Sequence, residues 1–373
     1  MERERIKLLV LIIAFLLMVF IPFKSIMVQR ALVSGLLTLQ DYAQNHTLFC
    51  LLPAFFIAGA IAVFIRKDTV TSFLGAEVKK YISYSIAAVS GGILAVCSCT
   101  ILPLFAGIYK RGSGLGPALT FLYAGPAINL AAIFLTGRVL GWELSIIRLI
   151  FSIIIAIIVG MIMGSLFKEK AEDREESLEI DEDFSLPRVS IAGLFLPLVG
   201  ILVLGSLKMT PPLKYIFISA VILFLLAFDK KRINRELNSA WLWRTWYFTK
   251  RILPYLFIGI FIAGVMGVIM PKEVVQGWLG GNRLSSSFVA SIFGALMYFA
   301  TLTEVPIIEQ LMKLGMGKGP ALALFLSGYS LSLPNMIVII SLIGKKRALV
   351  FYSLVVFFSA FAGFIYGNYV HLF

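Results

Sequence analysis

The sequence predicts an all-α polytopic membrane protein, and three observations predict it. Of its 373 residues 60% are hydrophobic and 14% charged, with a mean hydropathy of +0.94. Soluble domains carry about a quarter charged residues. The apolar residues come in blocks, many near the ~20 residues that carry a helix across a hydrocarbon core. The two halves of the chain also repeat each other, with proline and glycine in register. An outer-membrane barrel would show short alternating segments, and none occur.

Apolar blocks fall near 6–28, 46–65, 81–109, 116–136, 143–167, 189–207, 212–229, 252–270, 286–312, 319–343 and 348–370. Some read as half-spans, so about 10 (8–11) transmembrane segments are expected from block lengths. Residues 1–30 read as an N-terminal transmembrane anchor, because no small-residue cleavage site follows the apolar run. Residues 46–167 form a first repeat. Residues 168–188 carry nine of the twenty acids and read as a solvated linker. Residues 189–251 hold connecting segments and a basic stretch with Trp241, Trp243 and Trp246. That stretch reads as a cytoplasmic interfacial helix with an aromatic belt. Residues 252–373 form the second repeat.

The net charge of +13 does not call for nucleic acid, because Lys and Arg sit at block ends, where they orient helices. Three cysteines (Cys50, Cys97 and Cys99) are too few for a disulfide framework. His46 and His371 lie at block ends, so a closed four-ligand zinc site is not expected. No phosphate-binding loop, zinc-protease motif or nucleophile elbow occurs, which argues against an ATP-driven pump and against an enzyme. No cofactor is called for.

Sliding the chain against itself by 203 positions aligns the halves without a gap. Gly91, Thr100, Pro103, Gly112, Gly116, Pro117 and Gly125 meet Gly294, Thr303, Pro306, Gly315, Gly319, Pro320 and Gly328. Gly160 and Gly164 meet Gly363 and Gly367. Duplicated halves with broken segments in matching places are the signature of secondary transporters, whose site lies near the midplane. Counting Lys and Arg on the loops leaves orientation balanced if both halves run alike. It gives a cytoplasmic excess if the second is flipped, so inverted repeats are favoured.

Four groups of residues carry candidate chemistry. Cys97 and Cys99 lie in an apolar run beside Pro103, whose ring clashes with the carbonyl of Cys99. A break there turns both thiols toward one cavity as soft ligands for a metalloid, with Thr100 beside them; simple packing of two small apolar residues is the competing reading. Glu304, in Thr301-Leu-Thr303-Glu-Val-Pro306, is a carboxylate about twenty residues into an apolar block. Such a group is costly to leave charged, faces a cavity and suits proton coupling; a helix cap near the membrane surface is the competing reading. Pro126 with Asn129, and Ser332 with Pro334 and Asn335, place breaks and polar groups mid-block in both halves. They line a substrate path, or else bond helix to helix. Lys110-Arg-Gly112 and Lys313 to Gly319 occupy matching turns.

Together Cys97-Ser-Cys-Thr-Ile-Leu-Pro103, Gly107-Ile-Tyr-Lys-Arg-Gly112, Ala124-Gly-Pro-Ala-Ile-Asn129 and Thr303-Glu-Val-Pro306 resemble the YraQ-like predicted permease family. That family includes the ArsP-type organoarsenical efflux permeases, and the resemblance spans roughly Phe49 to Gly367. It implies a multi-spanning inner-membrane permease. For the arsenic-exporting members it implies efflux of trivalent organoarsenicals with cysteine ligands. The family usually has glycine where this chain has Thr100, and the fold does not carry substrate identity with it.

The expectation is therefore a multi-pass permease of the cell (inner) membrane, an exporter coupled to protons through Glu304. Its partners are a small-molecule or metalloid substrate, the lipid bilayer and, at most, further copies of itself. A thiol relay through Cys97 and Cys99, or a channel-like pore, is the alternative.

Overall fold

A computed structural model describes residues 25–44, 51–64, 67–75, 78–94, 98–167, 235–269, 277–297 and 304–369, with a few isolated positions besides. The described residues are helical, apart from turns and one pair of isolated bridges at Met316. The helices are α1 (Ile26–Tyr42), α2 (Leu52–Phe64), α3 (Lys67–Leu74), α4 (Lys80–Leu94), α5 (Ser98–Lys110), α6 (Leu115–Ala127) and α7 (Leu130–Val139). Then come α8 (Trp142–Leu166), α9 (Arg235–Ile269), α10 (Leu284–Leu296), α11 (Glu304–Lys313), α12 (Lys318–Gly328), α13 (Leu333–Ile343) and α14 (Lys345–Tyr369). The N-terminal anchor expected over 1–30, Cys50, the 168–188 linker and the blocks at 189–229 lie wholly or almost wholly outside the described residues.

Among the described residues two helices, α8 and α14, are long and apolar enough to cross a membrane, and up to four spans result if each bent pair counts as one. Each has 25 residues, about 37 Å at 1.5 Å per residue, against a hydrocarbon core of about 30 Å. The bent pairs are α6 with α7, at 46°, and α12 with α13, at 43°. In both pairs the first member is apolar on all sides. Every residue of α6 is buried, as is every residue from Gly319 to Gly328 in α12. A helix without a polar face belongs at the centre of a bundle.

Helix ends recur at the 203-residue offset. α8 begins at Trp142 and ends at Leu166, and α14 begins at Lys345 and ends at Tyr369. The same turns precede them, with positive φ at Gly112 (97°), Gly315 (104°), Gly141 (100°) and Gly344 (86°). A side chain at these angles would be strained, which is why glycine holds all four. Helices α4, α6 and α8 pack into one cluster and α10, α12 and α14 into another. The clusters meet through α8 against α12 and α14, while α7 touches α11 and α5 touches α13. Helices α1 and α2 lie along α9, which also packs on α13.

Glycine sets the approach within each cluster. A Cβ added to Gly116 would lie 2.6 Å from the Gly160 carbonyl, and one added to Gly319 would lie 2.5 Å from that of Gly363. Backbone-to-backbone contact of this kind is how helices associate where lipid removes the hydrophobic drive.

The structure places the four prolines expected at helix breaks differently. Pro103 does not end a helix, because α5 runs through it from Ser98 to Lys110. Its missing N–H deletes only the bond to the Cys99 carbonyl, and the helix continues to Lys110. Pro126 lies inside α6, and the chain leaves the helix after Ala127. Pro334 opens α13 at a position where a proline loses no intrahelical bond. Pro306 likewise sits in the first turn of α11. The basic, tryptophan-rich stretch is not a separate interfacial helix either. It is continuous with the following block in the 35-residue α9, since no glycine or proline interrupts 235–253. Trp241 is buried and donates to the Phe56 carbonyl at 2.8 Å, while Trp243 and Trp246 stay exposed.

Candidate functional site

The bend between α12 and α13 and the start of α11 bring polar groups into the apolar interior. Glu304 is the first residue of α11 and is 1% exposed, with Oε1 lacking a hydrogen-bond partner. It lies beside Gly328, where an added Cβ would come 2.6 Å from that oxygen. Residues 329–332 between α12 and α13 place Tyr329 and Ser330 inside, and the hydroxyls of both are unpartnered. The Tyr329 hydroxyl lies near both the Glu304 carboxylate and the Arg148 guanidinium.

Arg148 is the residue the sequence reading missed. It is the seventh residue of α8, about 9 Å along a helix rising 1.5 Å per residue, and it is fully buried. Its Nη1 donates to the Thr136 hydroxyl at 2.6 Å and to the Ala132 carbonyl at 3.2 Å, both on α7. Its guanidinium lies over the rings of Tyr329 (4.2 Å to the centroid) and Phe325 (5.1 Å). Nε and Nη2 have no partner. Among the described residues no carboxylate comes within 4.0 Å of it. A lone arginine five residues inside the 143–167 block looks like a block-end anchor in sequence. Spacing offers one clue: helices begin just after Gly141, so Arg148 sits two turns deep.

The remaining candidates fall as follows. Thr100 is buried on α5, and of Cys99 the structure describes only backbone, in the first turn of that helix. Cys97, Thr301 and Thr303 lie outside the described residues. Asn129 caps α7, accepting from the Ala132 N–H at 3.3 Å, so its side chain has a local task. Ser332 precedes α13 without capping it, and its hydroxyl is buried and unpartnered. Asn335 is buried with an unpartnered Oδ1. The matching turns hold their cations locally. Arg111 Nη2 donates to the Val63 carbonyl at 2.9 Å, and Lys110 to the Tyr247 hydroxyl at 2.7 Å. Among the described residues no cluster of three or more His, Cys, Asp or Glu side chains is placed to hold a metal.

At one end of this region a cleft of about 300 Å³ opens between Gly141, Leu144 and Tyr366, and Lys318 reaches Glu143 across it at 3.2 Å. Among the described residues the polar interior gathers a cation from α8, a carboxylate from α11, and hydroxyls from the bend between α12 and α13. Buried charges at membrane depth mark solute or ion paths.

Helices of spanning length, bent helix pairs and charges enclosed between them define a helical membrane protein built around a buried polar site. The chain belongs to the predicted permease family, which it matches over residues 32–368. It is 42% identical over 345 residues to a UPF0718 protein of Methanocaldococcus jannaschii, covering 88% of this chain and 94% of that one. It is 23% identical over 244 residues to the UPF0718 protein YraQ of Escherichia coli K12, covering 65% of this chain and 56% of that one. No solved structure matches it.

Proposed function

We propose that this permease is a secondary transporter of the cell membrane that exports a small thiophilic solute and is coupled to protons through Glu304. Two inverted repeats, about ten spans by block length, rock against each other around a site between the bent helices. Cys97 and Cys99 supply soft ligands, a trivalent organoarsenical being the solute class that the family resemblance favours. Thr100, Asn129, Thr301, Thr303, Ser332 and Asn335 line the path.

One observation carries this reading. Arg148 and Glu304 are both buried, both lie near Tyr329, and come from different halves of the chain. At the 203-residue offset Arg148 corresponds to Phe351, and Glu304 to Ile101, so neither charge is duplicated. A structural ion pair would close on itself, whereas these two groups do not touch. An unpaired buried carboxylate is a group that can take up and release a proton as the halves move.

The test is transport in everted membrane vesicles with an imposed pH gradient and methylarsenite as solute. Glu304→Gln is expected to abolish accumulation driven by the gradient while leaving protein in the membrane. Cys97→Ser and Cys99→Ser are expected to abolish methylarsenite movement with or without a gradient. Gradient-driven accumulation that survives Glu304→Gln removes the coupling role, and movement that survives both cysteine changes removes the thiol site.

A further inference from the structure

The guanidinium of Arg148 is held by one nitrogen alone. Nη1 is spent on the Thr136 hydroxyl and the Ala132 carbonyl, and the plane is fixed over the Tyr329 ring. The two nitrogens left without partners, Nε and Nη2, share the side edge of the fork. That edge presents two parallel N–H groups, the geometry that takes a carboxylate or an oxyanion in two hydrogen bonds. The side chain is fully buried, where a polar group without a partner is costly. Among the described residues no carboxylate lies within 4.0 Å of it, and Oε1 of Glu304 is also unpartnered. The Tyr329 hydroxyl lies near both groups.

We propose that the Nε/Nη2 edge of Arg148 is the seat for a negatively charged group, a carboxylate or small oxyanion, carried by the transported solute. The assignment rests on the permease reading and narrows its substrate class. A neutral arsenical such as methylarsenite would leave the edge empty. A solute that bears an acidic group would fill it. Glu304 then acts as the competing anion. While charged it repels the solute's anionic group, and once neutral it leaves the charge of Arg148 free to hold that group. Each anionic group would thus travel with one proton, which keeps the enclosed site from gaining a net negative charge.

The test measures binding to the full chain purified in detergent, by thermal unfolding and titration at matched ionic strength. The probes are sodium thiosulfate, sulfate, phosphate and acetate, with sodium chloride as the baseline. At least one probe is expected to raise the unfolding temperature of the wild type. Arg148→Gln is expected to weaken that probe about thirty-fold or more, the loss seen when a buried, hydrogen-bonded charge partner is removed. Arg148→Lys, which keeps the charge without the fork, should keep part of the affinity, and it serves if the glutamine variant does not fold. Glu304→Gln should tighten binding several-fold, a gain that a merely structural role for either residue would not produce. Absence of any anion effect in the wild type overturns the proposal, as does unchanged binding in Arg148→Gln or weakened binding in Glu304→Gln. The two readings also fail separately. Methylarsenite that crosses vesicles while no anion binds leaves the transporter and removes the anion seat. Anions that bind while no probe or methylarsenite crosses leave the seat and remove the transporter.

Discussion

The Tyr123 hydroxyl donates to the carbonyl of Leu326 at 2.8 Å, and the two residues are counterparts 203 positions apart. A contact between a residue and its own counterpart falls where the halves of the chain face each other. Both partners are buried, Tyr123 on α6 and Leu326 on α12. Tyr123→Phe removes the donor and strands a buried hydroxyl-facing carbonyl. The expected loss is about 1–3 kcal/mol, read as a lower unfolding temperature in detergent. Replacement at an exposed ring such as Tyr81 should change little.

The setting of Arg148 separates charge from ring. Thr136→Val removes the 2.6 Å hydrogen bond to Nη1 and is expected to cost about 1.5–3 kcal/mol, since the donor is charged. Thr136→Ser keeps the hydroxyl and should keep most of that stability. At Tyr329, Phe retains the ring under the guanidinium, whereas Leu does not. Tyr329→Leu should therefore unfold earlier than Tyr329→Phe, by an amount near the ~2 kcal/mol of a desolvated cation–π contact. Equal unfolding temperatures for the two variants would show that the ring contributes nothing.

Close packing of α12 on α14 rests on Gly319 and Gly363, each of whose added Cβ would come 2.5 Å from the other's carbonyl. Gly363→Ala forces the helix axes apart and is expected to destabilise by about 1–3 kcal/mol, as overpacking does. Gly277→Ala is the control, because nothing lies within 4 Å of an added Cβ there. A Gly363→Ala protein that stays monodisperse and unfolds with the control would contradict the packing.

Much of the fold is legible in sequence because proline and glycine act locally. Gly112 and Gly315 stand in register in the sequence, and both take the positive φ that explains them. Glu304 was legible for a similar reason, as a single acid in a long apolar block. Arg148 was not. Arginines near block ends are ordinarily anchors, and only the packing of α7, α8 and the bend after α12 shows that this one points inward. Pro103 misled in the other direction, since a proline in the second turn of α5 removes one hydrogen bond without ending the helix. The join of the tryptophan-rich stretch to the next block was hidden because basic residues within one helix look, in sequence, like the edge of a span.

Gly294 and Gly328 give two alanine variants that should part stability from function. At Gly294 an added Cβ would lie 2.6 Å from the Leu324 carbonyl, which is backbone and cannot step aside. Gly294→Ala is expected to lower the unfolding temperature by an overpacking cost of about 1–3 kcal/mol. At Gly328 the nearest atom is Oε1 of Glu304, at 2.6 Å, with the rest of the carboxyl at 3.6 Å. The end of a side chain can rotate away, so Gly328→Ala should unfold within about 1 kcal/mol of the wild type. It nevertheless displaces the carboxylate from its place beside Tyr329. If Glu304 is the coupling group, gradient-driven transport should fall in Gly328→Ala although the protein is as stable as before. Normal transport in Gly328→Ala would mean that the position of this carboxylate is immaterial, and the coupling role would have to be sought on another residue.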